Sequence, residues 1–543
     1  MKKVWKGFAA AVSAAAIAAT GFIGVNAANA ATIELGNQTQ GGEDFVATGR
    51  TFAVYQLMTG TVDATGKITD AKWGQNAKGH TAGTGVTQDE ITALQNVQDG
   101  KTGASLGKAL YDTYVDTTNP YAASLSGKLT DVPAGWYVIV ETTDDLPNDT
   151  SKSLYMFAPI QADQDLVVKP KTVNGPDFIK KVQENTKDVK TPNPTDSRVD
   201  TANKWNDIAD YNIGDDVPFK LTATLPRNYA DYTKYKLVFT DTRGTGFDQP
   251  KEIVVKAGAS TLTENTHYTT AFDGQKMTVT IDDLKVDAFK NLGIDAGTNI
   301  TVDYKMRLND SAVIGGNGNP NTAELEYSSN PNVDSETDKS HEEYTKTFTY
   351  KIDGTKKQAG TENTLAGAEF VLQRKSDGKF QATVDGKTAW IDVTLGAKPT
   401  SADVATAVNG TNVKVSTSNA NGEFGFTGLD YGEYNLWEIE APANFTLPTT
   451  PFAVDVTSAT DNMQNLGAIN TADGLTSVGA TINGTTISGE KTTGVINFSI
   501  DNSSTSALPS TGGMGTTMLY VAGGAIVLIA GIGMAVALRR RRA

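Results

Sequence analysis

The feature that most restricts the fold is a repeated pattern of short runs with period-two alternation, separated by clusters of Gly, Asn, Asp and Thr. Tyr235-Lys236-Leu237-Val238-Phe239 and Phe424-Gly425-Phe426 are typical, and 53 glycines punctuate the chain. Such runs predict strands with one face buried and one wet. A helical period is plausible only between Thr87 and Leu110, where Ile91, Leu94, Val97, Leu106 and Leu110 suit short helices. An all-β chain of antiparallel sandwiches in series fits best. There is no cysteine, so no disulfide can staple these sandwiches, and any covalent reinforcement needs other chemistry.

The two ends are set apart from that body. Lys2, Lys3 and Lys6 precede an apolar stretch from Phe8 to Val25, and Ala28-Asn29-Ala30 has the small-x-small pattern of a signal peptide cleavage site, so residues 1–30 are expected to be removed between Ala30 and Ala31. At the other end Leu508-Pro509-Ser510-Thr511-Gly512 is followed by an apolar run from Leu519 to Leu538 and then by Arg539 to Arg542. At about 1.5 Å per residue the run is long enough to cross a hydrocarbon core of roughly 30 Å, with the arginines on the cytoplasmic side. The three parts together, residues 508–543, resemble the LPxTG cell-wall sorting signal of Gram-positive surface proteins. The resemblance implies that a sortase cleaves Thr511-Gly512 and passes the Thr511 acyl group to an amine. The chain is then secreted, transiently membrane-anchored, and finally attached to the cell wall.

Charge and composition exclude other classes. The formal net charge is −15, and it becomes more negative once the lysines and arginines at the two ends are removed, so nucleic acid is not an expected partner. His80, His267 and His341 lie far apart without ligand-spaced neighbours. No metal, cofactor or hydrolytic triad is expected.

Domain boundaries follow from proline and charge. Lys169-Pro170-Lys171-Thr172-Val173-Asn174-Gly175-Pro176 breaks the strand pattern, and the acidic run Asn332 to Glu343 looks like a linker. The expected domains are 31–172, 173–340 and 341–503.

Within 341–503, Leu365-Ala366-Gly367-Ala368-Glu369-Phe370-Val371-Leu372 and Tyr434-Asn435-Leu436-Trp437-Glu438-Ile439-Glu440-Ala441-Pro442 resemble the CnaB-type domain of Gram-positive adhesins and pilins. The second stretch matches its E-box, with Ile439 in place of the usual Thr and Asn444 in place of the usual Gly. The resemblance implies an intramolecular isopeptide bond from Lys351 to Asn502, assisted by Glu438. Alternation puts Tyr434, Leu436 and Glu438 on one strand face, and Phe498, Ile500 and Asn502 on one face of another. Phe348, Tyr350 and Ile352 lie on the phase opposite to Lys351.

The segment 173–340 resembles the middle isopeptide-forming domain of shaft pilins through Phe178-Ile179-Lys180-Lys181-Val182, Phe239-Thr240-Asp241-Thr242 and Asn321-Thr322-Ala323-Glu324-Leu325. Lys180, Asn321 and Asp241 are the implied amine, carboxamide and assisting acid. Each shares phase with apolar neighbours, with Lys181 and Asn330 as alternatives on the opposite phases. In the first domain Val167-Val168-Lys169-Pro170-Lys171 resembles the pilin motif whose lysine accepts the next subunit. Lys171 falls on that lysine, and Lys169 stands where the motif has Tyr. Gly135 to Thr142 looks like a degenerate E-box, but Glu141 has no evident Lys and Asn partners.

Together these features imply the major backbone subunit of a sortase-assembled pilus: three tandem immunoglobulin-like or CnaB-type sandwiches, not an enzyme. The implied partners are other copies of the chain joined head to tail, a pilin-specific and a housekeeping sortase, tip and basal minor pilins, and peptidoglycan. A rival reading is a non-polymerising wall-anchored adhesin or minor pilin that binds a host glycan or matrix protein. A wall-anchored glycosidase is a third, and would need a carboxylate pair in a cleft.

Overall fold

The computed structural model describes residues 31–36, 38–40, 43–45, 49–62, 68–98, 104–162, 164–168, 174–187, 200, 202–460 and 474–505. The signal segment through Ala30, Lys171, Leu508 to Gly512 and the apolar run from Leu519 to Leu538 lie outside them.

The first unit layers a small sheet, a larger sheet and two helices. Ala31–Leu35 is the central strand of the small sheet, between Leu166–Val168 and Lys128–Val132. The larger sheet runs Ile68–Trp73, Phe52–Val62, Gly135–Glu141, Met156–Ile160, with Ala122–Leu125 also on Phe52–Val62. Every residue of Gly135–Glu141 is buried because both faces are covered. Tyr137 and Ile139 pack with Ile33 and Phe52, whereas Trp136 and Val138 pack with Leu94 and Leu110. Those two leucines come from the helices Gln88–Gln98 and Ala104–Tyr114, in the segment where the sequence predicts them. Thr87 starts the first helix with a reciprocal cap: its N–H donates to Glu90 Oε2 (2.7 Å), and the Glu90 N–H donates to Thr87 Oγ1 (3.3 Å).

The middle unit is a sandwich of two sheets. One runs Trp205–Asn206, Asp177–Gln183, Asp216–Thr224, Asn299–Arg307, Lys251–Ala257, Ser260–Thr261. The facing sheet runs Ile208–Asp210, Glu343–Phe348, Asn319–Ser328, Leu237–Arg243, Lys276–Ile281, Thr269–Asp273, with Thr337–Lys339 added to Asn319–Ser328. Phe178, Phe219, Val302, Phe239 and Leu325 fill the space between them.

The strand pairing of the middle unit runs on past the boundary expected at 340/341. Glu343–Phe348 pairs antiparallel with Asn319–Ala323 and parallel with Ile208–Asp210 in a sheet of the middle unit, while Ile208 and Phe348 pack into the core of the third. The run from Asn332 to Glu343 is not a free linker either. Its polar groups hold a loop of the first unit: Asn332 Nδ2 donates to Ser153 O (3.1 Å), Lys152 Nζ meets Glu336 (2.7 Å), and His341 Nδ1 meets Asp149 Oδ2 (2.7 Å).

His341 also contacts Glu343 Oε1 (2.9 Å), and hydrogen bonds to Asp149 and then Glu343 raise its pKa from 6.5 to about 10. A histidine raised in this way contributes stability that is complete below about pH 6.5 and is lost as pH rises through about 10. The melting temperature of the wild-type chain should therefore fall between those limits by more than that of His341→Gln. Equal slopes for the two proteins would contradict the clamp.

The third unit packs a three-stranded sheet, in the order Glu423–Leu429, Tyr350–Gln358, Val495–Asn502, against a larger one. The larger sheet has Glu369–Arg374, Gly432–Glu440 and Phe452–Thr460 at its centre. First and last strands lie side by side in parallel, with Lys356 opposite Ile500 and Gln358 opposite Asn502. Gly354 has no Cβ because the Phe424 ring occupies that space, at 2.2 Å from an ideal Cβ, where it stacks on Phe370.

Candidate functional site

Two clusters of lysine, carboxylate and carboxamide are buried in the middle and third sandwiches. In the third, the inward phase of the first strand is Tyr350, Ile352, Gly354, Lys356. Lys356 has no exposed surface, and its Nζ donates to Glu438 Oε2 (2.8 Å) and Asn502 Oδ1 (2.5 Å). Asn502 Nδ2 donates to Glu438 Oε1 (2.6 Å), which closes a triangle. The Phe370 and Phe452 ring centroids lie 5.6 and 5.9 Å from Nζ, so aromatic carbon lines the site.

The expected amine therefore changes. Lys351 points outward and pairs with Asp353 (2.8 Å) at about one-third exposure, because its strand phase is opposite to that of Tyr350 and Ile352. Glu438 and Asn502 are in hydrogen-bond contact with each other, and Lys356 is the lysine brought to them. Asn444 has φ +68°, the left-handed region where Gly is the default and Asn the next best tolerated, which accounts for that departure from the motif. Ile439 packs with Val371 and Phe380 in a separate apolar cluster on the outer face.

In the middle sandwich, Lys180 and Tyr304 come from one sheet, and Asp241 and Asn321 from the other. All four are buried. Lys180 Nζ donates to Asp241 Oδ2 and to Tyr304 Oη (2.8 Å). Tyr304 donates its O–H to Asp241 Oδ2 (2.5 Å), and Asn321 Nδ2 donates to Tyr304 Oη (3.2 Å). The alternatives stand elsewhere: Lys181 pairs with Asp207 (2.7 Å), and Asn330 with Glu336 (3.1 Å). Tyr304 is a site residue that the sequence reading missed. It is the polar member of an inward phase otherwise made of Ile300, Val302 and Met306.

Burial sets the electrostatics. It pushes the Lys180 and Lys356 ammonium groups below their ordinary pKa, against the opposing pull of Asp241 and Glu438, and it raises the Glu438 carboxyl. An amine whose charge burial disfavours, beside a carboxyl and a carboxamide, is suited to amide exchange: the amine attacks, the carboxyl shuttles the proton, and ammonia leaves.

The first unit has no such cluster among its described residues. Glu141 is buried, but its partners are Arg50 Nη1 (2.7 Å), the Ser153 N–H (2.7 Å) and Thr143 Oγ1 (3.0 Å). An arginine stays charged and cannot act as the amine.

Residues 213–331 match the family model for the Gram-positive pilin backbone subunit 2, Cna-B-like domain, and residues 350–470 match that for the SpaA prealbumin-like fold domain. The two matched stretches lie in the middle and third units respectively. The trypsin-resistant surface T6 protein of Streptococcus pyogenes serotype M6 is 26% identical over 293 residues, 44% of this chain and 48% of that protein. The chain thus spans about half the length of the curated relative it matches. Among solved structures, the T6 backbone pilin of serotype M6 Streptococcus pyogenes, a modular three-domain structure, aligns with a TM-score of 0.51 at 17% identity. The alignment covers 89% of this chain and 100% of that one, and it carries the fold: a modular three-domain arrangement.

Proposed function

We propose that this chain is the structural shaft subunit of a covalently polymerised pilus, exported and finally attached to peptidoglycan. The observation that carries the proposal is the Lys356, Glu438, Asn502 triangle, buried between the sheets of a pilin domain and joining its first and last strands. In each cluster the lysine Nζ bonds to the asparagine Cγ, the Cγ–Nδ2 bond breaks, and nitrogen leaves as ammonia, giving Lys180-Asn321 and Lys356-Asn502 links. The chemistry is a single turnover on the chain itself.

Between subunits, a pilin-specific sortase would join the Thr511 carbonyl to the Lys171 ε-amine of the next copy. A housekeeping sortase would transfer the finished fibre, with its tip and basal pilins, to the wall. A head-to-tail contact of this kind does not close on itself and builds a filament. The proposed modules are 31–172, 173–348 and 349–503. Tension applied between Lys171 and Thr511 would pass through the internal links and bypass the strands between them.

The test is the intact mass of the exported chain, expected to be lower than the sequence mass by two ammonia molecules. Asp241→Ala and Glu438→Ala should each restore one. An unmodified mass for the wild type would refute the crosslinking.

A further inference from the structure

The two clusters differ in how the acid reaches the carboxamide. Glu438 touches both reacting groups itself, with Oε2 on Lys356 Nζ and Oε1 on Asn502 Nδ2. Asp241 is shorter by one methylene. Its Oδ2 accepts from Lys180 Nζ and from Tyr304, and the hydrogen bond that Asn321 Nδ2 makes is to Tyr304 Oη. The Tyr304 hydroxyl thus stands where the second carboxylate oxygen of Glu438 stands in the other domain. We infer that Tyr304 is a catalytic residue of the middle-domain crosslink, a relay that carries the proton from Asp241 to the leaving nitrogen of Asn321.

The inference rests on the crosslinking reading above. The step balances as follows. Neutral Lys180 Nζ attacks Asn321 Cγ, which places a positive charge on Nζ and a negative charge on the carbonyl oxygen. Nζ gives one proton to Asp241, Asp241 passes one to Tyr304 Oη, and Tyr304 gives its own proton to Nδ2. The Cγ–Nδ2 electron pair leaves with ammonia as the carbonyl re-forms. Asp241 and Tyr304 end in the protonation states in which they began. Burial and the neighbouring Asp241 carboxyl raise the Tyr304 pKa well above its ordinary value, so the phenol stays protonated and serves as carrier rather than as base. A hydroxyl hydrogen turns freely about its C–O bond, so the O–H that points to Asp241 at rest can swing to Nδ2.

The experiment is a peptide-resolved mass time course on the exported chain, with the Lys356-Asn502 link as internal control. Tyr304→Phe, which keeps the ring, should form the Lys180-Asn321 link roughly a hundredfold more slowly, within the range of general acid-base catalysis, while the control link completes. Adding Asp241→Glu to Tyr304→Phe should restore the link, because the longer acid regains the reach that Glu438 has. Linkage as fast in Tyr304→Phe as in wild type overturns the relay. So does a Tyr304→Phe defect that Asp241→Glu leaves unrepaired, since that marks a packing role. A wild-type chain without the Lys180-Asn321 link refutes instead the crosslinking reading for the middle domain.

Discussion

Lys356→Ala is expected to leave the exported chain only one ammonia below its own sequence mass, against two for the wild type, and to lower the melting temperature of the third domain by roughly 10–20 °C. Lys356 and Asn502 are separated by 146 positions. By analogy with a disulfide closing a loop of that length, the link removes denatured-state entropy equivalent to about 5 kcal/mol. At roughly 2–4 °C per kcal/mol for a domain of this size, the shift follows. Lys351→Ala is the control. Its partner Asp353 is at the surface, where an exposed pair is worth at most about 1 kcal/mol, so mass and melting should stay close to wild type. If Lys351→Ala lost the link and Lys356→Ala kept it, the assignment of the amine would be reversed.

The second large effect is on assembly. Lys171→Ala should fold and form both internal links, yet abolish the high-mass ladder in cell-wall extracts and leave monomer on the wall. An accepting lysine must be reachable by a sortase acyl-enzyme, and a free lysine has a pKa of about 10.4, so the enzyme's pocket has to deprotonate it. Lys169→Ala, at the motif's tyrosine position, should still polymerise. A ladder that survives Lys171→Ala and disappears with Lys169→Ala would move the acceptor by two residues. A ladder that survives both would place the acceptor lysine elsewhere, whereas a wild type without any ladder would favour the wall-anchored adhesin.

Much of this was legible because strand parity is a strong constraint. Lys180 shares its phase with Phe178 and Val182, and Asn321 with Ala323 and Leu325, and all are buried together. The same rule argued against Lys351 and would have led to Lys356. Gly354 hid the continuity, since the inward position between Ile352 and Lys356 is filled by the Phe424 ring rather than by a side chain of the strand itself. Glu343–Phe348 fell within the expected third domain, 341–503, because its buried positions include Thr345, Lys346 and Thr347, with no apolar alternation to mark it as a strand pairing with the middle unit. Tyr304 escaped notice because an inward tyrosine in an apolar phase looks like core. Its role depends on which oxygen lies across the sandwich, and strand periodicity carries no information about that.

The central claim is that a Thr511 carbonyl of one copy is joined to the Lys171 amine of another. Proteolytic digestion of wall-released high-mass material, followed by mass spectrometry, tests it most directly. The account predicts a branched peptide in which the segment ending at Thr511 is attached through Lys171, at the mass of an amide with water lost. High-mass material in which every Thr511 ends on a peptidoglycan fragment, with Lys171 recovered unmodified, would contradict it.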